Sequence, residues 1–213
     1  MAYIRPAMTT TGAPPLRLLF VTSGLARGGA EGFLVRLAVR LSSRGHVCAV
    51  ASLGSDRSLA PPLIAAGIEV APLGSGLVRP SVRLSRIAAQ FRPDVVQGWM
   101  YRGNVAAVFA ATRAPGKPPV VWSVRQGLND LSESPRLTRF AVSLGARLSR
   151  RPEAIVYNAE SARLQHEELG FDPARSRVIP NGIEVAGTPR FDGRGAATRT
   201  NLGLPAASFV VPI

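Results

Sequence analysis

Cysteine, lysine and histidine are nearly missing from this chain. Its 213 residues hold one cysteine, Cys48, one lysine, Lys117, and two histidines, His46 and His166. A lone cysteine rules out an intramolecular disulfide. Set in a strand-like run, it reads as a small buried apolar residue, and the cytoplasm is the default compartment. There is no Cys cluster, no His pair at helical spacing and no Asp-x-Asp, so neither a metal site nor a cofactor is expected. No Ser-His-Asp arrangement and no supported pair of carboxylates stands out either. Apolar runs such as 105–111 are far shorter than the roughly 20 residues of a membrane span. The opening Met1-Ala-Tyr-Ile-Arg-Pro6 has no apolar core behind it, so no signal peptide is read there.

What is present suits a soluble globular protein. Hydrophobic residues make up 46% and charged residues 18% of the chain. The length fits one α/β domain with a proper core and is too short for two. The net charge of +13 is carried almost wholly by arginine. It reads either as attraction to an anionic surface or as the arginine usage of high-GC coding. The arginines are spread along the chain and not interleaved with aromatics, which argues against a nucleic-acid partner.

Strand-like and helix-like segments alternate. Residues 16–22 form a β-rich run, and 23–29 a Gly-rich turn. In 30–43, Phe33, Leu34, Leu37, Ala38 and Leu41 fall at helical spacing. Arg44-Gly45 ends that helix. The pattern then predicts strands at 46–52, 68–73, 94–97, 120–124, 154–157 and 177–179. It predicts helices at 59–66, 80–91, 103–112, 137–148 and 159–169. Seven strands alternating with six helices imply a parallel sheet covered on both faces, a Rossmann-like doubly wound α/β domain. Its ligand crevice lies at the carboxyl ends of the strands. The expected organisation is a disordered leader over 1–15, this domain over 16–183, a linker over 184–206 and the start of a truncated second domain over 207–213. An apolar run at the very end would be an unpaired edge, so the sequence looks interrupted.

The first motif is Ser23-Gly-Leu-Ala-Arg-Gly-Gly-Ala-Glu31. Glycines let backbone pass close to a ligand, and the N–H groups of the following helix favour phosphate. The spacing is neither G-x-G-x-x-G nor a Walker A loop. Such a turn can equally be structural, with Glu31 merely facing the helix dipole. Arg27, Arg102 and Arg125 fall near strand ends, where guanidinium suits phosphate or carboxylate, though each also fits a solvated surface. Trp99, Tyr101 and Asn104 could stack on or hydrogen-bond a sugar, while Trp99 also reads as core. His46 reads as a core or capping residue and His166 as surface or packing.

These segments, taken in order, resemble the retaining GT-B glycosyltransferases often called family 4. The resemblance runs over residues 16–184. It is carried by Gly28-Gly-Ala-Glu31, Arg44-Gly-His46, the segment Pro93 to Tyr101 with Gly103-Asn104, Val121-Trp-Ser-Val-Arg-Gln126, and Tyr157-Asn-Ala-Glu-Ser161 followed by His166 and Leu169-Gly-Phe171. Its most specific part is Val178-Ile-Pro-Asn-Gly-Ile-Glu184, close to the family's hinge signature.

The resemblance implies an N-terminal, acceptor-side GT-B domain. It implies a hexose moved from a nucleotide diphosphate sugar to a lipid-linked or polysaccharide acceptor, with an anionic membrane surface as a further partner. Gly28 and Gly29 would approach the donor diphosphate and the acceptor. Glu31, Arg27, Tyr101, Arg102, Asn104, Arg125, Gln126, Asn181 and Gly182 complete the binding set, and no catalytic residue is assigned. Two family histidines are replaced, by Arg102 after the tyrosine and by Arg125-Gln126 at the fifth-strand end. The family's paired glutamates belong to a second domain, so this chain alone is expected to transfer sugar poorly. A non-catalytic binding module is the second reading. A nicotinamide oxidoreductase is disfavoured by the glycine spacing and the lack of an acidic residue ending the second strand.

Overall fold

The computed structural model describes residues 14–74, 78–128, 135–182 and 194–205. The chain divides into two compact units, Met1–Asn181 and Gly182–Ile213. In the first unit the strands are β1 (Arg17–Thr22), β2 (Val47–Ser52), β3 (Glu69–Pro72), β4 (Val95–Trp99), β5 (Val120–Val124), β6 (Ala154–Tyr157) and β7 (Ser176–Val178). Between them run α1 (Gly29–Ser43), α2 (Ala60–Ala65), α3 (Val78–Phe91), α4 (Met100–Arg113), α5 (Arg136–Leu148) and α6 (Glu160–Glu168).

All seven strands pair in parallel, in the order β3-β2-β1-β4-β5-β6-β7. Parallel strands need crossovers, and right-handed crossovers send the helices to opposite faces on either side of β1. Helix α1 packs on α2, while α3 and α5 each pack on α4. With both faces covered, the strands bury nearly every side chain. Leu19, Phe20, Val21, Ala51, Val96, Trp122, Val124 and Ile155 are each fully buried. This is the expected Rossmann-like sheet. Cys48 is 6% exposed within it, and burial pushes its thiol up to about 11.

Direction along the chain reverses between β1 and β4, so the loops leaving these strands part and open a crevice. Two glycines let α4 close over the ends of β1 and β4. A Cβ on Gly103 would run into the Val21 carbonyl oxygen, and one on Gly98 would lie 2.5 Å from the Asn104 Cα.

Helix α4, strand β4 and the expected linker depart from expectation. Helix α4 begins at Met100 rather than at 103, directly off β4. Met100 makes the turn at φ 60°, a left-handed conformation that costs an ordinary residue roughly 1–2 kcal/mol and leaves no loop to be read. Strand β4 accordingly continues to Trp99 rather than ending at 97. In the second unit, the expected linker contains a helix, α7 (Arg194–Asn201). It has no apolar stripe, so hydrophobic periodicity could not announce it. It ends in a turn in which Gly203 takes φ 64°. The expected leader, apart from Pro14 and Pro15, and the expected start of a second domain over 207–213 lie outside the described residues.

Candidate functional site

The crevice is built around the start of α1. As β1 ends, the Thr22 hydroxyl donates to the Gly24 carbonyl at 2.9 Å, and the fully buried Leu25 anchors the loop. The β2 end comes up against this loop at Gly54, where a Cβ would sit 3.0 Å from the Ser23 carbonyl oxygen. Gly28 caps α1 in extended conformation, with no side-chain cap, and its carbonyl accepts from Gly32 N–H at 2.9 Å. The amides of the first turn precede that bond, so the helix itself does not satisfy them. A Cβ on Gly29 would meet nothing within 4 Å, so the backbone there faces open space. A Cβ on Gly28 would lie 2.5 Å from Glu31 Oε2. The Glu31 carboxylate therefore folds back over Gly28, an anion placed at the positive end of α1.

Arg125 joins three elements to this turn. It follows β5 directly. Its Nε donates to Ser123 Oγ at 2.9 Å, and its Nη1 donates to Asn181 Oδ1 at 3.0 Å. The guanidinium lies over the Phe33 ring of α1 at 4.7 Å and over the Trp99 ring at 5.1 Å. Phe33 and Trp99 are themselves stacked, with centroids 6.1 Å apart, and Trp99 Nε1 donates to the Ala30 carbonyl at 2.9 Å. Partial burial lowers the guanidinium's pKa, and the cation persists because arginine starts so far above neutrality.

The sequence-derived residues thus separate. Gly28, Gly29, Glu31, Arg125 and Asn181 come together at the end of the sheet. Arg27 is exposed in the same loop, where its charge, after hydrogen bonds from Ser58, helps hold the Asp56 carboxyl below its usual range. Gln126 is exposed beside Arg125. Gly182 is exposed at the start of the second unit. Arg102 is half-buried in the first turn of α4, at the mouth of a groove between helices rather than on the α1 turn.

Tyr101 and Asn104, expected to face sugar, instead point inward. Tyr101 is 5% exposed, and its hydroxyl is 3.0 Å from His166 Nε2. Burial raises that phenol to about 12, with a hydrogen bond from Gln126 opposing. Asn104 clamps β5, donating to the Ser123 carbonyl at 3.4 Å and accepting from Ser123 N–H at 3.2 Å. The helical phase set by the abrupt start at Met100 turns both residues toward the sheet.

His166 proves to be packing rather than surface, fully buried among Tyr101, Tyr157 and Phe171. His46 accepts from Leu16 N–H at 3.2 Å, the capping contact. Sequence reasoning did not find Phe33 or Ser123. Nothing local marks either, since Phe33 looks like any core position on α1. Trp99, for which a sugar contact was an open reading, is enclosed beneath Arg125. No group of three metal-ligating side chains occurs among the described residues, and no helix among them is long and apolar enough to cross a membrane. The arrangement offers helix amides and a held guanidinium, which suit an anion.

No curated protein matches the chain. Among solved structures it resembles Anabaena Alr3699/HepE in complex with UDP and glucose, at 18% identity and a TM-score of 0.68, over 88% of this chain and 50% of that one. It resembles the lipopolysaccharide outer core galactosyltransferase WaaB in its apo form at 12% identity and a TM-score of 0.62, over 80% and 47% of the two chains. A glycosyltransferase from Rickettsia africae ESF-5 matches at 14% identity and a TM-score of 0.58, over 89% and 50%. The chain thus spans about half the length of these structures. The family model of Glycosyltransferase Family 4 matches residues 27–186. That match takes in the glycine turn, the Arg125 stack and Asn181, and it covers most of the sequence: the chain belongs to Glycosyltransferase Family 4.

Proposed function

We propose that this domain is the acceptor-side wall of a retaining glycosyltransferase. It would help move a hexose from a nucleotide diphosphate sugar to a lipid-linked or polysaccharide acceptor. The carrying observation is the α1 turn: first-turn amides beside the open face of Gly29, next to an arginine held on an aromatic stack. Departure of a diphosphate builds negative charge, which fixed N–H donors and a guanidinium stabilise without reorganising. Family membership and the UDP ligands of the HepE structures support the nucleotide sugar. Glu31 would leave its position over Gly28 as a phosphate arrives, exchanging one anion for another. Asn181, at the end of the first unit, would orient Arg125.

The crevice as described has one wall. Transfer needs water excluded from both sides, so the 213-residue chain alone is expected to bind a nucleotide sugar weakly and turn it over poorly. The test is an amide and arginine NMR titration with UDP-glucose and other nucleotide diphosphate sugars. Perturbations should centre on Gly28, Gly29 and Arg125. They should shrink in Arg125→Lys, which keeps the charge but loses the planar stack. Unmoved signals across the whole donor panel would sink the reading.

A non-catalytic binding module is favoured by one observation: neither histidine presents its ring to the crevice, His166 being fully buried and His46 engaged at the start of β1. Transferase activity that appears only when a partner subunit is added would select it. The anionic membrane surface remains part of the proposal, supported by the net charge of +13.

A further inference from the structure

A groove of about 230 Å³ runs between α3, α4 and α5. Its walls are mostly apolar, with Leu84, Ala106, Phe109, Leu137, Phe140 and Leu144 among them. Exposed apolar side chains on a folded domain are commonplace when single, but here they converge. Phe109 is 46% exposed, Leu137 50% and Phe140 62%. One end is polar and faces the crevice: Leu53 directly follows β2, and Arg102 lies in the first turn of α4. Phe109 is seven residues further along α4, about 10 Å down its axis.

The charge around the groove has one sign. Helices α3, α4 and α5 carry eight arginines and no acidic residue. None of Arg83, Arg86, Arg102, Arg136 and Arg139 is ion-paired among the described residues. By contrast, α6 satisfies its Arg163 with Glu160 and Glu167. An apolar slot of finite length, with the unpaired Arg102 guanidinium at its mouth and further arginines on the helices that form it, is complementary to an amphiphile with a negative head and a hydrocarbon tail.

We propose that this groove binds the hydrocarbon chain of a phosphate-headed amphiphilic acceptor, with Arg102 holding the phosphate at the crevice end. The inference rests on the transferase reading of the crevice and names its acceptor class. The tail lies along α4, and the head group's far side reaches toward the α1 turn. The groove admits one chain, so the ligand is a single amphiphile taken from a membrane rather than a bilayer face.

The test is calorimetric titration of the 213-residue chain with hexyl, octyl and decyl phosphate below their micelle concentrations. Affinity should rise about fourfold per added methylene while the chain stays within the groove. Phe140→Ser and Leu137→Asn, both at exposed positions, should flatten that rise while leaving the melting temperature unchanged. Arg102→Gln should instead weaken every length by a common factor of about ten. Equal affinity for inorganic phosphate and decyl phosphate would overturn the tail site. Equal affinity for decyl phosphate and a neutral decyl glycoside would overturn the phosphate head. The readouts separate from the nucleotide titration: a missing chain-length dependence removes the groove and leaves the donor site, and silent glycines do the reverse.

Discussion

The imidazole of His166 has its Nδ1 2.6 Å from the Ala162 carbonyl, so that nitrogen carries the proton and Nε2 accepts from the Tyr101 hydroxyl. Burial holds its pKa below the usual value, with the Ala162 bond opposing. Released by unfolding, the ring takes up a proton near its ordinary value of about 6.5, while the folded form resists to lower pH. The unfolded state therefore binds more protons as pH falls below about 6.5, and stability drops over that window. We expect the urea midpoint to decrease between about pH 7.5 and 5.5, and His166→Gln to flatten that decrease. A variant that keeps the wild-type slope would place the pH sensitivity elsewhere. Residue identity was legible in the sequence here, but residue direction was not. Tyr101 and Asn104 have the right chemistry for sugar and sit beside the crevice, yet the phase of α4 turns both inward. Arg125 was a plain candidate for an anion, but its partner Asn181 lies 56 residues away. No window on the chain shows such a contact.

Among the elements, α1 and α4 make opposite demands on glycine. Gly103→Ala would push a methyl into the Val21 carbonyl and lift α4 from β1, an overpacking expected to cost about 1–3 kcal/mol or more. Gly29→Ala meets open space in a helical position and should raise stability by roughly 0.5 kcal/mol. Its methyl would also stand where a phosphate approaches the α1 amides, so nucleotide-sugar binding should weaken as stability rises. Denaturation midpoints and donor titrations on the two variants check this; a gain in both for Gly29→Ala would argue against the phosphate site. Seven strands and six of the helices could be read from apolar runs punctuated by Gly and Pro, because each buries a continuous face. Helix α7 lacked such a face, and the start of α4 lacked a loop. The strand order was not legible either, because it follows from pairings between segments as distant as β1 and β4.

At the scale of the molecule, the positive charge and the basic helices make binding to anionic vesicles the expected behaviour. Co-sedimentation with anionic but not neutral vesicles is anticipated at low salt, with release near 1 M, where the screening length is about 3 Å. Equal binding to both vesicle types would remove the electrostatic account. The fold also gives the chain an internal clock. Its one thiol, Cys48, sits on β2 beside Leu18 of β1, in a strand flanked on both sides, and burial keeps it protonated. A thiol reagent should leave the native protein untouched, since the thiolate is the reacting form. Each molecule labelled has then opened its central sheet at least once. At reagent concentrations where labelling outpaces reclosing, the labelling rate becomes the opening rate itself, readable at neutral pH without denaturant, dye or engineered probe.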